Sequence, residues 1–177
     1  MRLFVAVWPD DSTVERLSSL ELHPARGLRP VGSGNWHITL RFLGEVGDAL
    51  VPALSDALRA AAACMPGSLR CELGPSTAWF GGERVLQIPA RGLDDLAASV
   101  RSATISLVPA RSDEPPFNAH LTIASSKRER PDVSARAALA GVPLAAGFEV
   151  GSFDLVSSQH STGGRLYTTL ARVSLPG

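Results

Sequence analysis

The segment from Trp36 to Phe42 places a polar side chain at every second position. His37, Thr39 and Arg41 alternate there with large apolar residues. Strict alternation is typical of a β-strand with one buried face, because successive side chains of a strand point to opposite sides. We therefore expect the apolar residues to face the core and His37, Thr39 and Arg41 to lie together on the opposite face.

A second segment, from Phe117 to Ala124, repeats this arrangement with Asn118, His120 and Thr122. Two of the chain's four histidines thus occur in the pattern His-aliphatic-Thr-aliphatic. Random placement would give such a doubled pattern in roughly one chain in a hundred. Either segment alone would be better explained by a solvated strand face, whereas the repetition favours a shared function.

Paired histidines suit an in-line displacement at phosphorus. That reaction needs a base to take a proton from the attacking oxygen and an acid to protonate the leaving oxygen. Histidine titrates near neutrality and can act in either role. Thr39 and Thr122 would lie beside His37 and His120 and could donate hydrogen bonds to the phosphate oxygens as negative charge develops.

Two other kinds of hydrolase are less consistent with the sequence. Two histidines without a cluster of carboxylates or cysteines do not complete a zinc or iron site, and their spacing is not that of helical zinc hydrolases. A serine hydrolase is disfavoured because the chain has no Gly-x-Ser-x-Gly motif. We expect neither a metal nor another cofactor.

The overall composition predicts a globular protein. The 177 residues include 17 acidic and 17 basic ones, and this balance argues against a basic stripe for long nucleic acids, although a nucleotide or an RNA end fits. The opening apolar run ends at Pro9 without a signal-peptide pattern, and no stretch is long enough to cross a membrane. Cys64 and Cys71, with no second pair of cysteines, suggest neither a disulfide framework nor a zinc site. We expect one cytoplasmic, monomeric domain over residues 1–177 with no membrane partner.

Hydrophobic periodicity predicts a mixture of helices and strands. Helices are predicted at 11–20, 48–63, 93–107 and 132–140. Strands are predicted within 1–9 and at 36–43, 68–73, 77–80, 84–88, 117–124, 144–150, 153–157 and 166–175. The order lacks the regular alternation and glycine fingerprint of a parallel doubly wound sheet, so we predict an α+β fold with antiparallel sheets.

The two motifs resemble those of the 2H phosphoesterase superfamily, which is defined by two His-x-Thr-x motifs. Within it, the chain is most similar to bacterial and archaeal RNA 2′,3′-cyclic phosphodiesterases, also called 2′-5′ RNA ligases or LigT-like proteins. The resemblance covers nearly the whole chain. It includes the opening strand, both motif segments and the final hairpin, at Met1–Val7, Asn35–Val46, His120–Ala124 and 153–167.

The resemblance implies a bilobal fold with two pseudo-symmetric lobes, in which two antiparallel sheets flank a central cleft and helices lie outside. It implies metal-independent hydrolysis of a 2′,3′-cyclic phosphate, on RNA ends or small cyclic nucleotides, to a 2′-phosphate, with possible reverse 2′-5′ RNA ligation. His37 would be the general acid and His120 the general base, with Thr39 and Thr122 holding the phosphate. From the residues alone, the acid and base roles are interchangeable.

The basic residue that completes the phosphate site is left open by the sequence. The family often has an arginine shortly after its second motif, where this chain has Ser125 and Ser126. Arg41 is our candidate substrate-binding residue because alternation places it beside His37. Lys127 and Arg128 are the alternative.

Several residues fall outside the two motifs. Phe80 and Tyr167 could stack on a nucleobase, although aromatic residues in strands mainly fill the core. His23 and His160 are predicted to be loop or surface residues. A rival function is a nucleotide or RNA-end binding module that uses the same cleft without turnover. The two histidines favour the enzyme, because binding alone does not require two groups that exchange protons.

Overall fold

The computed structural model describes residues 1–22, 24–110, 112, 115–126, 129–162 and 164–177, so His23, Lys127 and Arg128 lie outside the described residues. Four α-helices follow one another along the described chain: α1 Asp11–Ser18, α2 Val51–Ala63, α3 Asp94–Thr104 and α4 Val133–Leu139. Ten strands occur with them: β1 Arg2–Val7, β2 Arg29–Pro30, β3 Ile38–Glu45, β4 Leu69–Leu73, β5 Ala78–Phe80, β6 Val85–Arg91, β7 His120–Ser125, β8 Ala146–Val150, β9 Ser152–Ser161 and β10 Gly164–Ser174.

The strands are hydrogen-bonded in the order β10-β9-β1-β3-β7-β6-β4-β8, with β2 beside β7 and β5 beside β6, and every pairing is antiparallel. The path divides at its centre, where β3 and β7 pair at a single position, Ile38 with Leu121. We call β10, β9, β1 and β3 the β1 half, and the remaining strands the β7 half. This arrangement confirms the predicted α+β class with antiparallel sheets.

The helices pack on one side of the sheet and leave the other side open. Helix α2 packs against α3 and β10, and α3 packs against β3. Alternate residues of β1 show the two sides: Leu3, Val5 and Val7 join the main core beneath the helices, whereas Phe4 and Ala6 belong to a small separate cluster on the other face. We call this second face the groove face.

The predicted elements agree with the structure to within a few residues at most boundaries. Helix α1 begins where Asp10 accepts a hydrogen bond from the Thr13 amide, 2.8 Å away, which satisfies one of the free N–H groups of the first turn. The short strand β2 was missed because it spans two residues, one of them Pro30, and has no periodicity of its own.

The predicted alternation of β3 is wrong beyond Leu40, which faces the core as predicted. Thr39 pairs with Ala6 and Arg41 pairs with Val5, so β3 inserts one extra residue against β1. Such a β-bulge reverses the faces of the residues that follow it. Arg41 is consequently buried on the helix side, at 5% exposure, and Phe42 is 65% exposed on the groove side.

Candidate active site

The single pairing between β3 and β7 explains how the two motifs meet. Ile38 and Leu121 are both fully buried in the core. Their neighbours on each strand must therefore project to the groove face, because strand side chains alternate. The neighbours are the four motif residues His37, Thr39, His120 and Thr122. All four line one pocket with a volume of about 280 Å³.

Both histidine rings are held by the same backbone contact. The Nδ1 of His37 lies 2.7 Å from the carbonyl oxygen of Asn35, and the Nδ1 of His120 lies 2.7 Å from that of Asn118. A carbonyl oxygen can only accept, so Nδ1–H is the donor in both pairs. A neutral ring in this tautomer has its free lone pair on Nε2, which can take a proton and later return it.

The two rings differ in their surroundings. His37 is packed among Phe4, Trp8 and Tyr167, with ring centroids 5.0, 5.2 and 5.2 Å away. Burial lowers the pKa of His37 below its ordinary value, the Asn35 carbonyl partly opposes this shift, and electrostatic interactions with His120 and Arg165 lower the pKa further. The neutral form of His37 is therefore favoured while the pocket is empty.

His120 has a single aromatic neighbour among the described residues, Phe80, with a centroid distance of 5.1 Å. Phe80 is 40% exposed. Tyr167 also lines the pocket, where it packs edge-on against His37. Stacking of either ring on a nucleobase stays a prediction. The exposed Phe42 ring lines the same pocket and is a third aromatic candidate that the sequence pattern had assigned to the core.

Arg41 does not lie beside His37, which corrects its predicted place on the groove face. Its Nη1 donates to the Thr104 hydroxyl at 2.5 Å, and its Nη2 donates to the Val108 carbonyl at 2.6 Å. The guanidinium thus connects β3 to the end of α3 on the helix side, because the bulge has turned it there. We do not retain Arg41 as a phosphate ligand.

Two arginines that were not selected from the sequence line the pocket instead, Arg2 at the start of β1 and Arg165 at the start of β10. Arg165 donates from Nη1 to the Ser158 hydroxyl at 3.3 Å. Neither arginine belongs to a motif, and their strands lie near opposite ends of the chain. Alternation with Phe4 was a weak signal for Arg2, since it placed Arg2 on the same face of the first strand.

His160, possible metal ligands and possible membrane-spanning helices were also considered in the sequence. His160 is exposed on β9 and does not line the pocket. The described ranges contain no group of three or more His, Cys, Asp or Glu side chains that could hold a metal ion. In the same ranges no helix is long and apolar enough to span a membrane.

Comparison with known proteins supports one family. Residues 7–72 match the model of the LigT-like phosphoesterases. The chain is 34% identical, over 138 residues, to an RNA 2′,3′-cyclic phosphodiesterase of Archaeoglobus fulgidus, covering 76% of this chain and 77% of the relative. It is 30% identical to an RNA 2′,3′-cyclic phosphodiesterase of Thermus thermophilus, covering 100% of this chain and 91% of the relative.

Solved structures agree with this relationship. A Thermus thermophilus protein superposes with a TM-score of 0.85 at 28% identity, covering 100% of this chain and 99% of the other. Escherichia coli LigT in complex with 3′-AMP gives 0.74 at 26% identity, covering 98% and 97%. The fold and the matched sequence define a phosphoesterase. The chain belongs to the LigT-like phosphoesterase family of the 2H phosphoesterase superfamily.

Proposed function

We propose that this protein hydrolyses a 2′,3′-cyclic phosphate, on an RNA end or a nucleotide, to a 2′-phosphate, and that His37 and His120 exchange the protons. The observation that carries this proposal is that both rings line one pocket, each with Nδ1 bonded to a carbonyl and Nε2 left for the substrate. The names of the two curated relatives, both RNA 2′,3′-cyclic phosphodiesterases, support the substrate class.

The proposed reaction is a single displacement at phosphorus. His120 takes a proton from water through Nε2 as the water oxygen attacks phosphorus, and the bond from phosphorus to the 3′ oxygen breaks. His37 gives its proton to that leaving oxygen, so the product carries a 2′-phosphate and a 3′-hydroxyl. Thr39 and Thr122 donate hydrogen bonds to the non-bridging oxygens. Each histidine ends in the other's starting protonation state, and no step requires a metal.

Reverse ligation uses the same atoms. An RNA 5′-hydroxyl that takes the place of water attacks the cyclic phosphate and forms a 2′-5′ linkage, again with loss of the 3′ oxygen from phosphorus. We propose this as a side activity of the same pocket. It requires the 5′-hydroxyl to compete with water for the position beside His120.

The assignment of acid and base can be tested chemically. Burial favours a neutral His37 in the empty pocket, so its proposed acid role requires that the negative substrate phosphate bring back a proton. Sulfur in place of the 3′ oxygen leaves without protonation, and this substitution therefore removes the need for an acid. We expect His37→Ala to turn over the sulfur substrate at near the normal rate and His120→Ala to remain inactive. The opposite result would exchange the two roles.

Activity itself is tested with a nucleoside 2′,3′-cyclic phosphate in the presence of a chelator. We expect His37→Ala and His120→Ala each to lower kcat by at least about 10³-fold, in line with the usual contribution of general acid–base groups. His160→Ala is the matched control, because this histidine is exposed and outside the pocket. Unchanged turnover in both pocket variants would refute the mechanism, and binding without turnover by the natural protein would indicate a binding module.

We further propose that residues 1–177 act as one domain with two pseudo-symmetric lobes, as a cytoplasmic monomer. The support is that a single chain supplies both histidines and both threonines to the pocket. Light scattering at the enzyme concentrations used for kinetics would test the monomer, and a dimer that loses activity on dilution would contradict it.

A further inference from the structure

Arg2 and Arg165 bring two positive charges to a pocket without a negative side chain among its described lining residues. Neither guanidinium has a carboxylate within ion-pair distance in the described part of the chain. Elsewhere in the described chain, by contrast, exposed arginines such as Arg59 and Arg91 pair with acidic side chains at 2.6 and 3.1 Å. The chain as a whole has no net charge. The positive charge of the pocket is thus a local feature.

The register of three strands places the two arginines in one part of the groove face. Arg2 of β1 pairs with Ser158 of β9, and Ser158 pairs with Tyr167 of β10. Arg165 lies two residues before Tyr167, on the same face of β10. Its guanidinium donates to the Ser158 hydroxyl at 3.3 Å, so Ser158 stands between the two cations.

This cluster adjoins His37, whose ring packs on Phe4 and Tyr167, and the Arg165 carbonyl accepts a hydrogen bond from the Asn35 side chain at 3.3 Å. Ala6 is the residue of β1 that pairs with Thr39, and Arg2 precedes it by four residues on the same strand face. Four residues of an extended strand span about 13 Å. Arg2 therefore lies far from Thr39 along β1, on the His37 side of the pocket and not between the two histidines. The burial of Tyr167 raises the pKa of its hydroxyl, and the charges of both arginines oppose this rise, which places both near that ring.

We propose that Arg2, Arg165 and Ser158 form a second phosphate subsite, which binds the phosphate on the 5′ oxygen of the nucleotide whose 2′,3′-cyclic phosphate lies between the histidines. This inference rests on the proposed function and narrows its substrate class to ends that carry a neighbouring phosphate. One ribose separates the two phosphates of such a nucleotide, and the pocket offers the cations on its His37 side, where the 3′ oxygen of the ribose is proposed to leave. Arginine suits this role because its planar fork can donate two parallel hydrogen bonds to one phosphate.

A nucleoside 2′,3′-cyclic phosphate lacks this second group. It has one negative charge, to which the two motifs already offer two histidines and two threonines. The charges of Arg2 and Arg165 would then have no counterpart in the substrate. An RNA end has an internucleotide phosphate at this position, and a nucleotide with a free 5′-phosphate has the same chemistry.

Three substrates separate these sources: a nucleoside 2′,3′-cyclic phosphate, the same compound with a 5′-monophosphate, and a dinucleotide ending in the 2′,3′-cyclic phosphate. We expect kcat/KM to be at least about tenfold higher for a substrate with the 5′-linked phosphate, as for one charge-assisted contact of about 1.4 kcal/mol or more. A dinucleotide favoured over the monophosphate identifies an RNA end, and the reverse order identifies a free nucleotide.

The variants Arg2→Ala and Arg165→Ala test the subsite. Each is expected to lower the ratio of kcat/KM between the dinucleotide and the nucleoside compound to about threefold or less, mainly through KM, and Arg165→Lys is expected to restore part of it. Arg29→Ala is the matched control. This exposed arginine of β2 lies opposite Ser125 of β7, which lines the pocket, but Arg29 itself does not line it. We expect the ratio to be unchanged in Arg29→Ala.

Two results would overturn the subsite while leaving the proposed function intact. One is a natural enzyme with equal kcat/KM for all three substrates. The other is an equal loss on all substrates in Arg2→Ala and Arg165→Ala, which would place these arginines on the cyclic phosphate itself. Absence of turnover on every substrate by the natural protein would instead contradict the proposed function.

Discussion

Replacement of Arg41 by methionine distinguishes a structural arginine from a substrate-binding one. The structure buries this guanidinium on the helix side of β3, where it bonds to Thr104 and Val108 near the end of α3. Alternation alone would place it in the pocket beside His37. The structural role predicts a loss of stability with intact catalysis, whereas the pocket role predicts a raised KM with intact stability.

The expected loss follows from these contacts. A hydrogen bond that involves a charged group contributes roughly 1.5–3 kcal/mol, and the replacement removes the two described bonds, to Thr104 and Val108. Methionine fills much of the volume, and Thr104 keeps its bond to the Val100 carbonyl at 2.6 Å, which limits the penalty. We expect a net loss of about 3 kcal/mol. For a chain of this length that corresponds to a fall in Tm of about 6–12 °C.

The assay combines urea unfolding, thermal melting and kinetics on a nucleoside 2′,3′-cyclic phosphate, all well below the melting range. Thr104→Val is a related variant, because it removes one of the described bonds of Arg41 together with the bond from Thr104 to the Val100 carbonyl, and a loss of stability with an unchanged KM is expected. A Tm within about 2 °C of the natural protein, together with a KM raised tenfold in Arg41→Met, would show that this reasoning is wrong.

Three further predictions concern pH, backbone and thiols. Because the pKa of His37 is lowered in the folded protein, the unfolded chain binds a proton more readily, and the free energy of unfolding should fall as the pH drops below about 6.5. Urea unfolding from pH 8 to 5 should show a smaller fall for His37→Asn. An equal fall in both proteins would contradict the assignment to His37. Gly92→Ala should lower the free energy of unfolding by about 2–4 kcal/mol, because φ is +88° and an added Cβ would lie 2.2 Å from a carbonyl oxygen. Gly32→Ala is the control: its added Cβ would meet nothing within 4 Å, and its free energy of unfolding should be nearly unchanged in the same assay. Cys64 is exposed and should react with a thiol reagent in the folded protein. Cys71 is buried, burial raises the pKa of its thiol to about 12, and it should react only on unfolding. Rapid reaction of both thiols in the native protein would contradict this prediction.

The motif residues were predictable because their geometry is local. His37 and Thr39, like His120 and Thr122, are two positions apart on one strand, and that spacing alone assigns them to one face. The sequence also repeats Asn two positions before each histidine. The contact that this spacing provides is made by the backbone carbonyl, so side-chain chemistry gave no reason to select Asn35 or Asn118.

The cations of the pocket could not be assigned in this way. The face of Arg41 depends on a bulge against β1, and a bulge is a property of two paired strands and not of one periodic segment. Arg2 and Arg165 meet because β9 lies between β1 and β10. That neighbourhood depends on the order of strands in the sheet, which hydrophobic periodicity does not encode.

Because β3 and β7 pair at one residue position, the two halves of the sheet are joined by few backbone hydrogen bonds at its centre, and we call this boundary the seam. A rotation of the β1 half against the β7 half would disturb few backbone bonds there, yet it would change the separation of the two imidazoles directly. On the helix side, Arg41 ties β3 to the end of α3, the helix that follows β6 along the chain, and restrains such a rotation. A phosphate bound by all four motif residues would span the seam from the opposite side and act as a removable cross-link.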